Sequence, residues 1–316
     1  MTTLALVHPT TLLGKELRER LERRRKLWDE LRLLTTNEEE AGTLTDVRGA
    51  AAMVRGIEAE DLEGVDVALF CGPMAANRRV LAALPSETTA ILLSPDATRG
   101  DGLPVVAGIN LEEATAGRTL VSPHPGAIAL AHLLYPLAPL HLESAVATLI
   151  QPASMHEEEG LDELFEQARR VVAFADQKPT AVFGHQLAFN LLPAAGGGDH
   201  LVGHLTALLG EEVDLALEVV QGGVFHAFAA SVYLRFQSDP GLPAVRAALE
   251  RHPEVRLAKT PDRLGPIDAA ASEQVLVGHV HPDPRHPGAY WVWAVMDNLT
   301  RGGDLNALLI AEAVLS

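Results

Sequence analysis

The sequence predicts an α/β protein whose first part is a parallel sheet with crossover helices. Short aliphatic runs at residues 4–7, 31–35, 65–71 and 90–93 have the length and flanking turns of buried strands. Between the first two, Leu13, Leu17, Leu21 and Trp28 fall at helical spacing, with Lys, Arg and Glu on the other faces, which predicts a helix over about 12–28. The 316 residues are 47% hydrophobic but only 4% aromatic, enough aliphatic material for two domains of ordinary size. Strands alternating with helices imply parallel pairing, and ligands of such sheets bind beyond the carboxyl ends of the strands.

The turn after the first strand, VHPTTLLG, is where a dinucleotide-binding domain carries its glycines. Of the three places in a GxxGxxG fingerprint only the last is glycine, Gly14. His8 and Thr11 hold the others, and Pro9 removes an N–H donor. Thr10 or Thr11 suits a helix N-cap, so an ordinary helix start is favoured over pyrophosphate binding. The segment after the second strand, TTNEEEAG, carries three glutamates that repel a 2′-phosphate, so NADP is disfavoured. A carboxylate near a ribose suits NAD better, and the bland reading is a solvated acidic loop. Residual NAD(P) binding is disfavoured and no cofactor is firmly expected.

In the second half, strands are expected around 143–150, 213–222, 224–236, 274–281 and 290–296. The last is bulky enough that one face is expected against helices or a partner subunit. The formal net charge is −17, a surface that repels phosphate backbones and anionic lipid, so neither nucleic acid nor membrane is an expected partner. The N-terminus lacks the charge pattern of a signal peptide and no run of about 18 apolar residues occurs, so a cytoplasmic protein is expected. The single cysteine, Cys71, excludes an internal disulfide and a multi-cysteine metal site. His200 and His204 are spaced i, i+4, and His279, His281 and His286 gather near Asp283. Neither group has a full ligand set, and ordinary polar surface is the expectation. The glycine run within AAGGGDH (194–200) is read as a linker.

Six blocks in order, LRLLTTNEEEAG, VDVALFCG, DATRGDGLPVVAGIN, IQPASMHEEEGLDEL, GHQLAFN and MDNLTRGGDLNALLIAE, resemble the aspartate-semialdehyde dehydrogenases over nearly the whole chain. The resemblance implies a Rossmann-like N-terminal domain, about 1–120 with a returning helix at 303–316. It also implies an α/β dimerisation domain over 121–302 and a homodimer. That family's reaction uses a thiolate at a helix N-terminus, a histidine acid/base, substrate arginines and a nicotinamide cofactor.

Matched residue by residue, the chain departs from that equipment. Pro125, in SPHPG, stands at the cysteine; His124 precedes it. Gln221 stands at an arginine, and Phe228 at the histidine. His226, two residues earlier, is an alternative acid/base, with a core or sheet-face histidine as its plainer reading. Arg99, Gln151, Asn298 and Gly302 match ligand-contacting positions of the family, whereas Gly14, Thr10 and Thr11 are weak cofactor candidates. The expectation is a non-catalytic member that binds a small anionic metabolite or a protein partner as a dimer. The alternative is an oxidoreductase of altered chemistry on a semialdehyde or acyl phosphate, using NAD(P) with His124 or His226.

Overall fold

A computed structural model describes residues 1–24, 26–175, 177–194, 198–211 and 213–316. The chain divides into two compact units, Met1–His124 with Gly303–Ser316, and Pro125–Gly302.

The first unit holds β1 (Thr3–Val7), α1 (Leu12–Arg23), β2 (Glu30–Thr35), a small hairpin β3 (Leu44–Val47) and β4 (Ala50–Met53), and β5 (Arg55–Gly56). It continues with β6 (Val67–Phe70), α2 (Met74–Leu81), β7 (Thr89–Leu92), β8 (Leu103–Pro104) and β9 (Thr119–Val121), and ends with the C-terminal helix Leu305–Val314. Its main sheet runs β5-β2-β1-β6-β7-β9-β8, with every pairing parallel. Both faces are covered, as a parallel sheet requires. Leu4 and Leu6 point to the side packed by Leu17, Leu21, Trp28 and the C-terminal helix. Ala5 and Val7 point to the opposite side, with Phe70, Met74 and Val80.

The helix expected over 12–28 is shorter. It ends at Arg23, and Arg24 leaves helical geometry. Trp28 lies beyond the end and is buried, its indole N–H donating to Leu21 O at 3.0 Å. The helical spacing of Trp28 therefore reflects a chain that folds back onto the helix, not one more turn of it.

The second unit holds α3 (Pro125–Leu134), β10 (Leu142–Gln151), α4 (Glu157–Val172), β11 (Leu191–Pro193), α5 (Asp199–Leu209), β12 (Asp214–Gly222), β13 (Phe228–Phe236), α6 (Leu242–Arg251), β14 (Val255–Leu257), β15 (Val275–Pro282) and β16 (Ala289–Met296). Its sheet runs β11-β12-β10-β13-β16-β15-β14 and is mixed. Of the glycine run expected as a linker, residues 195–197 lie outside the described residues. No helix among the described residues is long and apolar enough to cross a membrane.

Two polar devices hold the irregular backbone of this unit. On α4, Glu163 accepts from Val182 N (2.8 Å) and Phe183 N (3.2 Å). One turn on, Gln167 accepts from Leu187 N and Ala188 N and donates to Pro179 O and His185 O. These bonds satisfy loop backbone that would otherwise be buried unpaired. The second device is a buried basic cluster. Arg301 donates to His132 Nε2 at 2.9 Å and pairs with Glu254 at 3.4 Å, while His132 Nδ1 lies 3.0 Å from His252 Nε2. A guanidinium has only donors, so His132 accepts at Nε2 and carries its proton on Nδ1, which it gives to His252. Burial, then the Arg301 charge, then His252 hold the His132 imidazole well below its ordinary range. Burial likewise lowers His252, against the pull of Glu254.

Gly14→Ala should destabilise the first unit by about 1–3 kcal/mol. An added Cβ would lie 2.4 Å from His8 O, and this clash outweighs the better helix propensity of alanine. The urea midpoint measures it. The histidine pair predicts acid sensitivity. Both folded pKa values are depressed, so below about pH 6.5 the unfolded chain takes up protons that the folded chain refuses. Stability is flat above that pH and falls below it. His132→Gln, which keeps an acceptor for Arg301, should reduce this slope between pH 7.5 and 5 in urea titrations.

Candidate functional site

In the first unit the carboxyl end of β1 turns sharply. His8 has a left-handed backbone (φ +59), the conformation for which glycine is the usual residue. Thr11 is the N-cap of α1: its Oγ1 accepts from Gly14 N at 3.1 Å and donates to His8 O at 3.0 Å. Gly14 is needed because helix and turn touch there. Thr10 is half-buried in the same turn.

The His8 side chain is buried, reaching Thr35 Oγ1 (3.4 Å) through Nδ1 and Thr36 Oγ1 (3.3 Å) through Nε2. Thr35 Oγ1 donates in turn to Glu40 at 2.8 Å. Burial depresses the His8 pKa, with Glu40 opposing. Burial alone would raise Glu40, but hydrogen bonds led by Thr35 outweigh it and leave the carboxyl below its ordinary range. The acidic loop is thus only partly solvated: Glu38 and Glu39 are exposed, while Glu40 locks the end of β2. The imidazole also lies against Gly72, whose Cβ would meet His8 Cδ2 at 3.4 Å. A dinucleotide pyrophosphate needs free N–H groups and open space at this turn. Here the Gly14 N–H is taken by Thr11 and the space over Gly72 by an imidazole, so these residues do not fit the group.

Asn306 and Asn110 brace the other loops of this unit. Asn306 accepts from Ala107 N and donates to Val105 O and Ser122 Oγ. Asn110 accepts from Val106 N and donates to Pro104 O. Arg99 lies exposed at the tip of a turn closed by Thr98 and Asp101. His124 is buried, at 6% exposure.

In the second unit Pro125 is the first residue of α3, where a fixed φ and a missing N–H cost nothing. Gly302 is packed against it: a Cβ there would fall 2.7 Å from Pro125 Cβ and 2.6 Å from the Met296 methyl. Phe228 is 1% exposed at the start of β13. With Ala129, Leu130, Leu133 and Met296 it lines a cavity of about 10 Å³ walled by apolar side chains, at the lower limit for one water.

Gln151 and Gln221 form one polar group. Gln151 Nε2 donates to Gln221 Oε1 (3.0 Å), which also meets His156 Nε2 (2.9 Å), and Gln221 Nε2 returns to Gln151 O. His156 is exposed and was not singled out in the sequence; its signal lay only in following the Gln151 block closely. Asn298 is 1% exposed and fully bonded, accepting from Ala227 N at 3.0 Å and donating to Ser154 Oγ at 3.1 Å.

His226 departs from the strand and core placement expected of it. It is neither on the strand nor in the core, but exposed in the bend before β13. The strand cannot begin earlier, because Ala227 has a left-handed backbone (φ +70) and its N–H is held by Asn298. His200 is exposed whereas His204 is buried. His279 pairs with Asp262 (2.6 Å) and His286 with Asp283 (2.8 Å), two separate pairs. Among the described residues no three His, Cys, Asp or Glu side chains gather as a metal site.

Comparison with known proteins matches residues 134–301 to the dimerisation domain of the semialdehyde dehydrogenases. A USG-1 protein homolog from Azotobacter vinelandii is 30% identical over 99% of this chain and 97% of its own length. An aspartate-semialdehyde dehydrogenase from Rickettsia bellii is 25% identical over 81% and 80%. The structure of a probable aspartate-semialdehyde dehydrogenase from Pseudomonas aeruginosa superposes with a TM-score of 0.93 at 26% identity, covering 100% of this chain and 98% of that one. With its parallel first sheet, its mixed second sheet and these matches, the chain belongs to the semialdehyde dehydrogenase family.

Proposed function

We propose that this protein is a non-catalytic, aspartate-semialdehyde dehydrogenase-like member of its family that acts as a homodimer binding a small anionic metabolite or a protein partner. The observation that carries the reading is Pro125 at the first position of α3. Acyl transfer through a covalent intermediate needs a nucleophile with a lowered pKa and donors for the oxyanion. A proline supplies neither a nucleophile nor an N–H. Its ring lies against Gly302.

Two further features support it. Phe228, at the place expected for the acid/base, is sealed in an apolar layer, and the imidazole two residues before it is exposed in a bend. Gln221, at the place of a substrate arginine, is neutral, and its hydrogen-bonding capacity is taken up by Gln151, His156 and backbone.

The homodimer reading rests on the match to a dimerisation domain and on the open face of the second sheet. Val146 pairs with Tyr233, Tyr233 with Trp291, and Trp291 with His281, a cross-strand row on one face. Val146 is 52% and Trp291 41% exposed, and the Tyr233 and Trp291 rings lie 4.7 Å apart. Adjacent apolar and aromatic side chains of this kind suit the core of a protein interface.

The protein should give no phosphate-dependent oxidation of aspartate semialdehyde with NAD⁺ or NADP⁺, followed at the nicotinamide absorbance. Pro125→Cys alone should not restore it, and turnover in either would sink the reading. Trp291→Asp should weaken the dimer by about 2 kcal/mol or more, roughly thirtyfold in Kd, measured by sedimentation equilibrium.

A further inference from the structure

The amino end of the first unit's parallel sheet lies away from the strand ends where ligands of this architecture ordinarily bind. A cavity of about 750 Å³ opens there, beside Thr2 and so just ahead of β1. Its walls are the end of α1, the connection from α1 to β2, and the last turn of the C-terminal helix with the two residues after it. The volume falls within the range of about 300–1,000 Å³ that small-molecule sites occupy.

The lining combines charge with an apolar floor. Arg23, Arg24 and Lys26 supply three cations, drawn from RRRK at 23–26, the only run of four cations in a chain of net charge −17. Leu27 and Leu315 are partly buried and pack on the aliphatic core of the unit. Arg24 is already engaged: its Nη1 lies 3.2 Å from Glu312 Oε1, a pair that ties the end of α1 to the C-terminal helix. Among the described residues Glu312 is the only acidic side chain in the lining. Asp29, close by in sequence, accepts from Thr2 N at 2.7 Å and lies 3.9 Å from the Met1 ammonium. Arg23 and Lys26 make no side-chain hydrogen bond or ion pair among the described residues. A cation in the last turn of a helix complements the carbonyl end of the dipole, which accounts for Arg23. That effect fades within the last turn and does not account for Lys26, three residues further on. Charges more than about 8 Å away are largely screened at physiological ionic strength, so the cavity's own cations set the field that a ligand meets there.

We propose that this cavity is a binding site for a small organic phosphate monoester. Such a group carries about −1.5 to −2 at neutral pH on one compact centre, which matches the two cations that Glu312 leaves over. A guanidinium can take two phosphate oxygens in a fork while an ammonium takes a third as a point charge. The organic part, joined through the ester oxygen, has Leu27 and Leu315 to lie on. A lone carboxylate brings half the charge to the same place. This site gives the small anionic metabolite of the proposed function a location and a chemical class, and it rests on that reading for its role. The cavity and its lining stand apart from the proline at position 125, which belongs to the other unit.

The test uses the full chain with phenyl phosphate as probe, in isothermal titration. The wild type should bind it with a Kd below about 1 mM. Arg23→Gln/Lys26→Gln should weaken binding by about tenfold or more. Both side chains are exposed, so the melting temperature without ligand should stay near that of the wild type. Should the double variant fail to fold, Lys26→Gln alone should weaken binding by about threefold or more. Arg79→Gln/Lys259→Gln, which removes two exposed cations elsewhere, should bind as the wild type does. Absence of wild-type binding up to about 10 mM would overturn the proposal. So would undiminished binding by the Arg23/Lys26 variant, or an equal loss in the Arg79/Lys259 variant. Benzoate, with the same ring and a single charge, should bind more weakly than phenyl phosphate, and equal affinity would overturn the assignment to phosphate. Turnover of a semialdehyde would sink the non-catalytic reading and leave these binding outcomes unchanged.

Discussion

The second unit hangs on two consecutive residues, Asp297 and Asn298. The Asp297 carboxylate accepts from Ala271 N, Leu299 N and Thr300 N, and its carbonyl accepts from Gly302 N. Asn298 ties the turn after β10, through Ser154, to the residue before β13, through Ala227. Five backbone amides, those of Ala227, Ala271, Leu299, Thr300 and Gly302, are thereby satisfied. A buried amide left unpaired at any of them would cost about 1–3 kcal/mol. The arrangement also gives the MDNL block, which reads as a family hallmark, a duty to backbone.

The same division runs through the rest of the candidate site. Gln151, Asn298 and Gly302 all have structural occupations, respectively a hydrogen-bonded pair with Gln221, a double bridge, and a close approach to Pro125. Asn110, Asn306 and Ser122 brace the loops of the first unit in the same manner. Residues that support a fold and those that carry out a reaction are commonly the same types in the same motif. A sequence match therefore transmits the first role more securely than the second.

The alternation of strands and helices was legible because a parallel sheet buried on both faces writes continuous aliphatic runs. The N-cap at Thr11 was legible because capping is local. What escaped the sequence was non-local. Trp28 kept a helical period while lying past the end of α1, since burial against Leu21 selects the residue type without fixing its conformation. His226 looked like a strand residue until Asn298, some seventy positions away, claimed the amide of Ala227. The burial of His124, the meeting of His132, His252 and Arg301, and the joining of Gln221 to His156 have no periodic signature at all.

Cys71, at the end of β6, is 0% exposed and is the chain's sole thiol. A buried thiol in apolar surroundings is inert toward alkylating reagents. The folded protein is therefore chemically silent toward maleimides and iodoacetamide, and any cysteine placed on its surface becomes a single addressable handle. A fluorophore or spin label attached in that way reports from one place only. The modification of Cys71 itself becomes a clock for opening of the first unit, separate from events in the second.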